Sequence, residues 1–209
     1  MKNVKDFWDK IAKNYDKQAD YKYGETYSKT IELTKKYLSN TDIVFDYGCG
    51  TGITTVELSN CVDKIHAIDI SENMIGVANN KTWEKNIPNI QFEVTSIFNK
   101  KIEKNYYDVV LAFNILHFIK DIDKVIQRIN ALLKPNGIFI SATDCLGEKK
   151  TSMIIIQSLL SRIGLLPYMK KYKISELEEK VQKGNFSIIE TNNLYSSPPN
   201  YYIVARKNG

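Results

Sequence analysis

The stretch Val44-Phe45-Asp46-Tyr47-Gly48-Cys49-Gly50-Thr51-Gly52 constrains this chain more than any other. Ile43, Val44 and Phe45 read as a short buried strand, three glycines follow at once, and the residues after them turn helical. Glycine is needed in such a turn because the backbone adopts φ values that other residues resist. It also lets a ligand approach main chain where no Cβ intervenes. The turn is therefore a candidate ligand cradle.

Its spacing decides between ligands. In the dinucleotide fingerprint G-x-G-x-x-G the third glycine would fall at position 53, which is Ile53; here it comes one residue early, at Gly52. Asp46 puts a carboxylate at the tip of the first strand, where a pyrophosphate would be repelled and a cationic amino group attracted. Lys64-Ile65-His66-Ala67-Ile68-Asp69 reads as a second strand ending in an acid. That acid follows the first glycine by about 20 residues, the spacing of the carboxylate that grips ribose hydroxyls. Ser71 then reads as the N-cap of a helix with Met74 and Ala78 on one face.

Downstream, strand and helix alternate, the pattern of a parallel sheet covered on both faces. Strands are expected near 43–47, 64–69, 90–95, 107–113 and 137–143. Asp108 to Phe113 is almost unbroken apolar sequence, as in a central strand. Ile122, Val125, Ile126, Ile129, Leu132 and Leu133 form one helical stripe behind a plausible N-cap, Asp121. Ahead of the glycines, Phe7, Trp8, Ile11 and Tyr15 share one face of a helix over 4–20, and a second helix is expected over 25–38. After the fifth strand comes a strongly apolar segment, 150–169, that could be core, a wall of an acceptor pocket or a dimer face. Ser175 with Glu178 resembles a capping box for a helix ending at Lys183. Strands at 186–190 and 201–205, joined by a loop holding Pro198-Pro199, close the chain.

Taken together, Asp46 to Gly52, Asp69-Ile70-Ser71-Glu72-Asn73-Met74, Tyr107 to Ala112 and Leu133-Lys134-Pro135-Asn136-Gly137 resemble the class I S-adenosylmethionine-dependent methyltransferases. The resemblance covers roughly residues 40 to 145. It implies a doubly wound, Rossmann-like α/β fold: a seven-stranded, mostly parallel sheet with helices on both faces and the last strand antiparallel. One domain, 1–209, is expected, divided into a helical cap (1–40), a cofactor-binding core (41–145) and acceptor-side helices and closing strands (146–209).

The resemblance also implies roles. Gly48, Cys49, Gly50 and Gly52 would meet the methionyl part of S-adenosylmethionine, Asp46 its amino group and Asp69 the ribose hydroxyls. Ile70 and Met74 would flank the adenine. The family's acid at the end of the third strand is here Ser96, a departure that shifts weight to the main chain of Ile97. Asn114 ends the fourth strand where a polar group could touch both cofactor and acceptor. Trp8 with Tyr15-Asp16 looks like an element that folds over the cofactor, although both aromatics could equally anchor the helix to the core. His117 is the candidate base in the core motifs; Asp144 could face the acceptor or cap a helix. The product would be S-adenosylhomocysteine.

Composition narrows the partners. Of 209 residues, 43% are hydrophobic and 25% charged, ordinary for one globular core. No apolar run is long enough to span a membrane and the first ten residues lack a signal-peptide core, so a cytoplasmic protein without membrane contact is expected. Cys49, Cys61 and Cys145 have neither disulfide nor zinc spacing, and no metal is expected. The net charge of +5 comes mostly from scattered lysines; the arginines are Arg128, Arg162 and Arg206, so no basic stripe for nucleic acid is visible. Asn114-Ile115-Leu116-His117 stands where nucleic-acid amino-methyltransferases carry an N-P-P-Y-like turn. The expected activity is methyl transfer to an oxygen or nitrogen of a small-molecule acceptor, by a monomer or homodimer. The alternatives are a non-catalytic S-adenosylmethionine-binding module and a protein or RNA methyltransferase; the glycine spacing disfavours a nicotinamide oxidoreductase.

Overall fold

The computed structural model describes residues 4–149, 156, 159–161 and 165–209. Along the chain run α1 (Val4–Lys35), β1 (Ile43–Tyr47), α2 (Ile53–Leu58), β2 (Lys64–Asp69), α3 (Glu72–Glu84) and β3 (Ile90–Val94). Then come β4 (Tyr107–Phe113), α4 (Ile122–Leu132), β5 (Leu133–Asp144), α5 (Ile174–Lys183), β6 (Phe186–Ser196) and β7 (Pro199–Lys207).

The strands form one sheet in the order β3-β2-β1-β4-β5-β7-β6. Neighbours from β3 through β5 are parallel, whereas β7 is antiparallel to both β5 and β6. The chain winds outward from β1 in one direction and from β4 in the other, so the crevice above their C-terminal ends is the topological switch point where such sheets bind ligands. Apolar residues on both faces hold the sheet between two cores. Phe139 joins the core formed with Ile122, Ile126 and Ile129 of α4, while its neighbours Ile140 and Ala142 join the opposite core with Leu33 and Leu58. That alternation is the period-2 geometry of a strand buried on both sides.

Three local outcomes differ from the sequence reading. The two expected N-terminal helices are one element, broken only at Tyr23 (φ −138°, ψ 16°) beside Gly24, and the second half ends at Lys35. The expected Ser175 cap is displaced: α5 starts at Ile174, whose N–H donates to Glu148 Oε1 at 2.7 Å, and the Lys173 N–H donates to Glu176 Oε2 at 3.2 Å. A carboxylate from a distant loop thus satisfies the helix end, and Glu178 is left to accept from the Tyr201 hydroxyl at 2.6 Å. The closing strands are longer than expected because they form a hairpin that turns at Ser197 and Pro198 in place of a loop. Most of the apolar segment 150–169 lies outside the described residues. Among those described, no helix is long and apolar enough to cross a membrane.

Candidate functional site

The glycine turn is built by main chain. The N–H groups of Gly48 and Cys49 both donate to Ile68 O, at 2.9 and 3.1 Å, which folds the turn back onto β2. Gly48, Gly50 and Gly52 have φ of 74°, 54° and 73°. At Gly48 an added Cβ would lie 2.7 Å from Ile115 Cγ1, whereas at Gly50 it would meet nothing within 4 Å among the described residues. One glycine therefore allows close packing, and the other leaves main chain bare toward open space.

That space belongs to a cavity of about 220 Å³ at the switch point. Among the residues singled out in the sequence, Tyr15, Asp46, Gly48, Cys49 and Gly50 line it, as do Asp69, Ile70, Met74 and Asn114. Gly52, Ser96, Ile97 and His117 do not. Gly52 instead is the residue before α2. At the end of the third strand Thr95 supplies the wall. Ser96 Oγ accepts from the Phe98 N–H at 3.3 Å, and Ile97 is buried with its carbonyl accepting from Arg128 Nε at 3.0 Å. The turn after β3 thus directs Ile97 into the core and spends its main chain on Arg128.

The two acids differ in environment. Asp46 is fully buried and accepts from Thr55 Oγ1 at 2.6 Å. Burial, with a smaller push from the Asp69 charge, raises its pKa to about 6. Asp69 accepts from the Gly50 N–H (3.1 Å) and the Ser71 N–H (2.9 Å) through separate oxygens. Each oxygen keeps a further lone pair for a ligand hydroxyl. Burial raises this carboxyl too, against the pull of those backbone N–H groups.

The first half of α1 lies over the cavity and is fastened at two points. Asp9 Oδ1 accepts from Ser71 Oγ (2.6 Å) and the Asn73 N–H (3.0 Å) at the start of α3. Asp16 accepts from Thr51 Oγ1 at 2.5 Å and pairs with Lys81, whose ammonium also donates to Thr51 O at 2.9 Å. One residue before each fastening, Trp8 and Tyr15 reach the cavity, and Trp8 meets Phe118 edge-on with ring centroids 5.1 Å apart.

His117 follows β4 but sits behind the wall that Ile115, Phe118 and Ile119 form. It is buried, its Nδ1 has no hydrogen-bond partner among the described residues, and burial lowers its pKa, with Asp144 pulling the other way. Asp144 accepts from Asn200 Nδ2 at 2.7 Å, and the same amide nitrogen donates to Asn114 Oδ1 at 2.8 Å. Asn114 is held in the left-handed region (φ 55°) and hydrogen-bonds Tyr27, whose hydroxyl lies 3.3 Å from that of Tyr15. Tyr27, Thr55 and Asn200 are absent from the sequence reading; Tyr27 and Asn200 arrive from remote elements. Only Thr55 carried a local signal, a hydroxyl in the first turn after the glycines.

Among the described residues, no group of three or more His, Cys, Asp or Glu could hold a metal ion. The arrangement can instead hold a cationic group at Asp46, a diol at Asp69 and a flat apolar group against Ile70 and Met74, while α1 keeps water out.

Comparison with known proteins bears on this geometry. Residues 38–191 match a family model described as a methyltransferase domain. A malonyl-[acyl-carrier protein] O-methyltransferase from Bacillus anthracis is 32% identical over 135 residues, which is 63% of this chain and 49% of that enzyme. The chain thus spans about half the length of that relative. Among solved structures, a Haloferax volcanii protein in complex with the Trm112 methyltransferase activator superposes with a TM-score of 0.80 at 16% identity, covering 97% of this chain and 98% of that one. Phosphoethanolamine N-methyltransferase 2 of Haemonchus contortus, in complex with phosphomonomethylethanolamine and S-adenosylhomocysteine, superposes at 0.79 and 18% identity, covering 100% of this chain and 61% of that one. At these identities the two structures speak to the fold alone.

Proposed function

From the premise that the chain belongs to the class I S-adenosylmethionine-dependent methyltransferases, we propose that it transfers the methyl group of S-adenosylmethionine to an oxygen or nitrogen of a small-molecule acceptor. The observation that carries the reading is that Asp46, the bare main chain at Gly50 and Asp69 line one cavity at neighbouring strand tips. Those groups fit the cofactor: an acid for its ammonium, a second acid with free lone pairs for its ribose, and Cβ-free backbone between them.

Bound there, S-adenosylmethionine supplies a methyl group already activated on a cationic sulfur. The residues therefore need only hold the partners in line and exclude water, and neither a nucleophilic triad nor a metal is demanded. Asp46 holds the ammonium and Asp69 the ribose hydroxyls. Ile70 and Met74 flank the adenine, with Thr95 at its edge in place of Ser96 and Ile97. Tyr15 and Trp8 close the site from above, and Asn114 stands where cofactor and acceptor meet. His117, neutral and behind the wall, is assigned no contact with either. A small acceptor is favoured because α1 is fastened across the cavity and no basic residue is among the described residues that line it. The carrier-bound substrate in the name of the B. anthracis relative makes a protein-linked acceptor the second reading.

The test is calorimetric titration with S-adenosylmethionine, paired with measurement of S-adenosylhomocysteine release across small alcohols, phenols and amines, malonyl carrier protein and RNA. Micromolar binding and turnover on a small acceptor are expected. Binding without turnover on any of them would favour a non-catalytic binding module, and turnover confined to carrier protein or RNA would replace the small acceptor.

A further inference from the structure

We propose, resting on the methyltransferase reading, that the acceptor carries no negative charge: an apolar or aromatic body bearing a hydroxyl or a neutral amine, bound against the tyrosine end of a buried hydrogen-bond chain. Two independent features of the cavity carry this.

The first is charge. Among the described residues that line the cavity there is no lysine, arginine or histidine, and the ionisable acids there are Asp46 and Asp69. The remaining wall is mostly aromatic or aliphatic, with Trp8, Tyr15, Tyr27, Ile115, Phe118 and Ile119 beyond the glycine turn. The cofactor's own carboxylate arrives beside its ammonium, but a carboxylate or phosphate on the acceptor would leave water with no cationic side chain among the described lining residues to meet it and with two acids nearby, which is costly for a buried charge. With the cofactor's ammonium held at Asp46, the sulfonium would be the counter-charge left to it, and that charge is lost in the reaction. A heteroatom lone pair forms the new C–O or C–N bond as the S–CH3 bond breaks, the electron pair stays on sulfur, and the acceptor's proton passes to water. An anionic group elsewhere on the acceptor would then face a neutral thioether.

The second is the direction of the hydrogen-bond chain. A carboxylate only accepts, so Asn200 must turn its NH2 toward Asp144, and the same NH2 donates to Asn114 Oδ1. Asn114 therefore has its own NH2 left for the Tyr27 oxygen. Tyr27, now an acceptor from Asn114, turns its proton to Tyr15, and the Tyr15 O–H becomes the free end. Both tyrosines line the cavity, and burial keeps both phenols protonated. The polar wall offered to the acceptor is thus a neutral donor set by Asp144 from a distance, suited to a hydroxyl or amine. In this chain Asp144 and Asn200 are positioning residues.

The test uses three phenols of nearly one shape that differ in charge: 4-ethylphenol, tyramine and 4-hydroxyphenylacetate. Each is titrated calorimetrically into the full-length protein, with and without saturating S-adenosylhomocysteine. 4-Ethylphenol or tyramine is expected to bind at least tenfold more tightly than the acid. Equal or tighter binding of the acid, or measurable binding of none, overturns the proposal. Ile119→Lys, which places an ammonium on the wall, is expected to raise the acid's affinity at least tenfold. If the folded variant still rejects the acid, charge is not what excludes it and the proposal falls. Failure of S-adenosylhomocysteine itself to bind counts against the methyltransferase reading, while the charge preference is still read from the titrations without it.

Discussion

Replacing Gly48 and Gly50 separately by alanine divides the two duties of the glycine turn. At Gly48 the φ of 74° costs an L-residue about 1–2 kcal/mol. The new Cβ would also lie 2.7 Å from Ile115 Cγ1 and 3.0 Å from both Cβ and Cδ1 of that side chain. Because Ile115 is contacted at its root as well as its tip, rotation of its end does not relieve the clash, and overpacking of this kind costs about 1–3 kcal/mol. Gly48→Ala is therefore expected to lose about 2–5 kcal/mol of stability. Gly50 shares the positive φ, 54°, but its Cβ would meet no protein atom within 4 Å, so only the conformational cost of about 1–2 kcal/mol remains. On the proposed reading, the space it would fill is the cofactor's. Gly50→Ala should accordingly weaken S-adenosylhomocysteine binding at least tenfold, about 1.4 kcal/mol. Urea unfolding at constant m-value measures the first quantity and calorimetric titration the second. If Gly50→Ala bound the cofactor product as well as the parent does and unfolded as readily as Gly48→Ala, the turn would be a structural corner and not a cradle.

Other consequences are as direct. Asp69→Ala is expected to cost cofactor affinity by about 1–3 kcal/mol, the scale of hydrogen bonds to a charged group, and unchanged affinity in calorimetry would remove Asp69 from the site. Asp46 has a folded pKa of about 6 against 3.8 for the free side chain, so folding favours its protonated form, and stability falls as pH rises from about 4 to about 6. Asp46→Asn should abolish that fall and make the cofactor-free protein more stable above pH 6 by roughly 2–3 kcal/mol; a difference between variant and parent that does not vary between pH 4 and pH 8 in urea titrations would contradict it. Asp9→Ala removes the fastening at Ser71 and Asn73, and amide exchange over residues 4–20 should speed at least tenfold while β1 and β4 keep their protection. His117→Ala should leave S-adenosylhomocysteine affinity within about twofold of the parent, since the side chain stands behind the wall; a larger loss would put it in the site.

What could be read from the sequence follows from range. The strands at 43–47, 64–69 and 107–113 are short apolar runs bounded by turn residues, and the structure has them at those limits. The same holds for the caps: Ser71 Oγ accepts from the Met74 N–H at 3.1 Å and Asp121 from the Lys124 N–H at 3.3 Å, both contacts within three residues. The hairpin of β6 and β7 runs longer than its sequence marks, because Thr191-Asn192-Asn193 in the edge strand has none of the apolar marks of a strand and its pairing to β7 supplies the order instead. In the site, Asp46, Asp69, Gly48 and Gly50 are visible because they stand at or just beyond the ends of β1 and β2, and the sheet topology alone gathers strand tips. Tyr27 and Asn200 are invisible for the opposite reason. Their meeting with Asn114 depends on how α1 bends at Tyr23 and on β7 running antiparallel beside β5, neither of which leaves a periodicity. Ser175 does not cap its helix for a related reason: Glu148, remote in sequence, occupies the helix end.

With the cofactor bound as proposed, the double fastening of α1 would make exchange of its spent form a mechanical event. Whatever leaves the cavity on that side must first unhook Asp16 from Thr51 and Lys81, or Asp9 from the start of α3. The Tyr23 break supplies the point about which a loosened arm would swing. Turnover would then be governed by how often a pair of carboxylates lets go, and added salt, which screens the Asp16–Lys81 contact, would quicken the departure of product even where it weakens the grip on the incoming methyl donor.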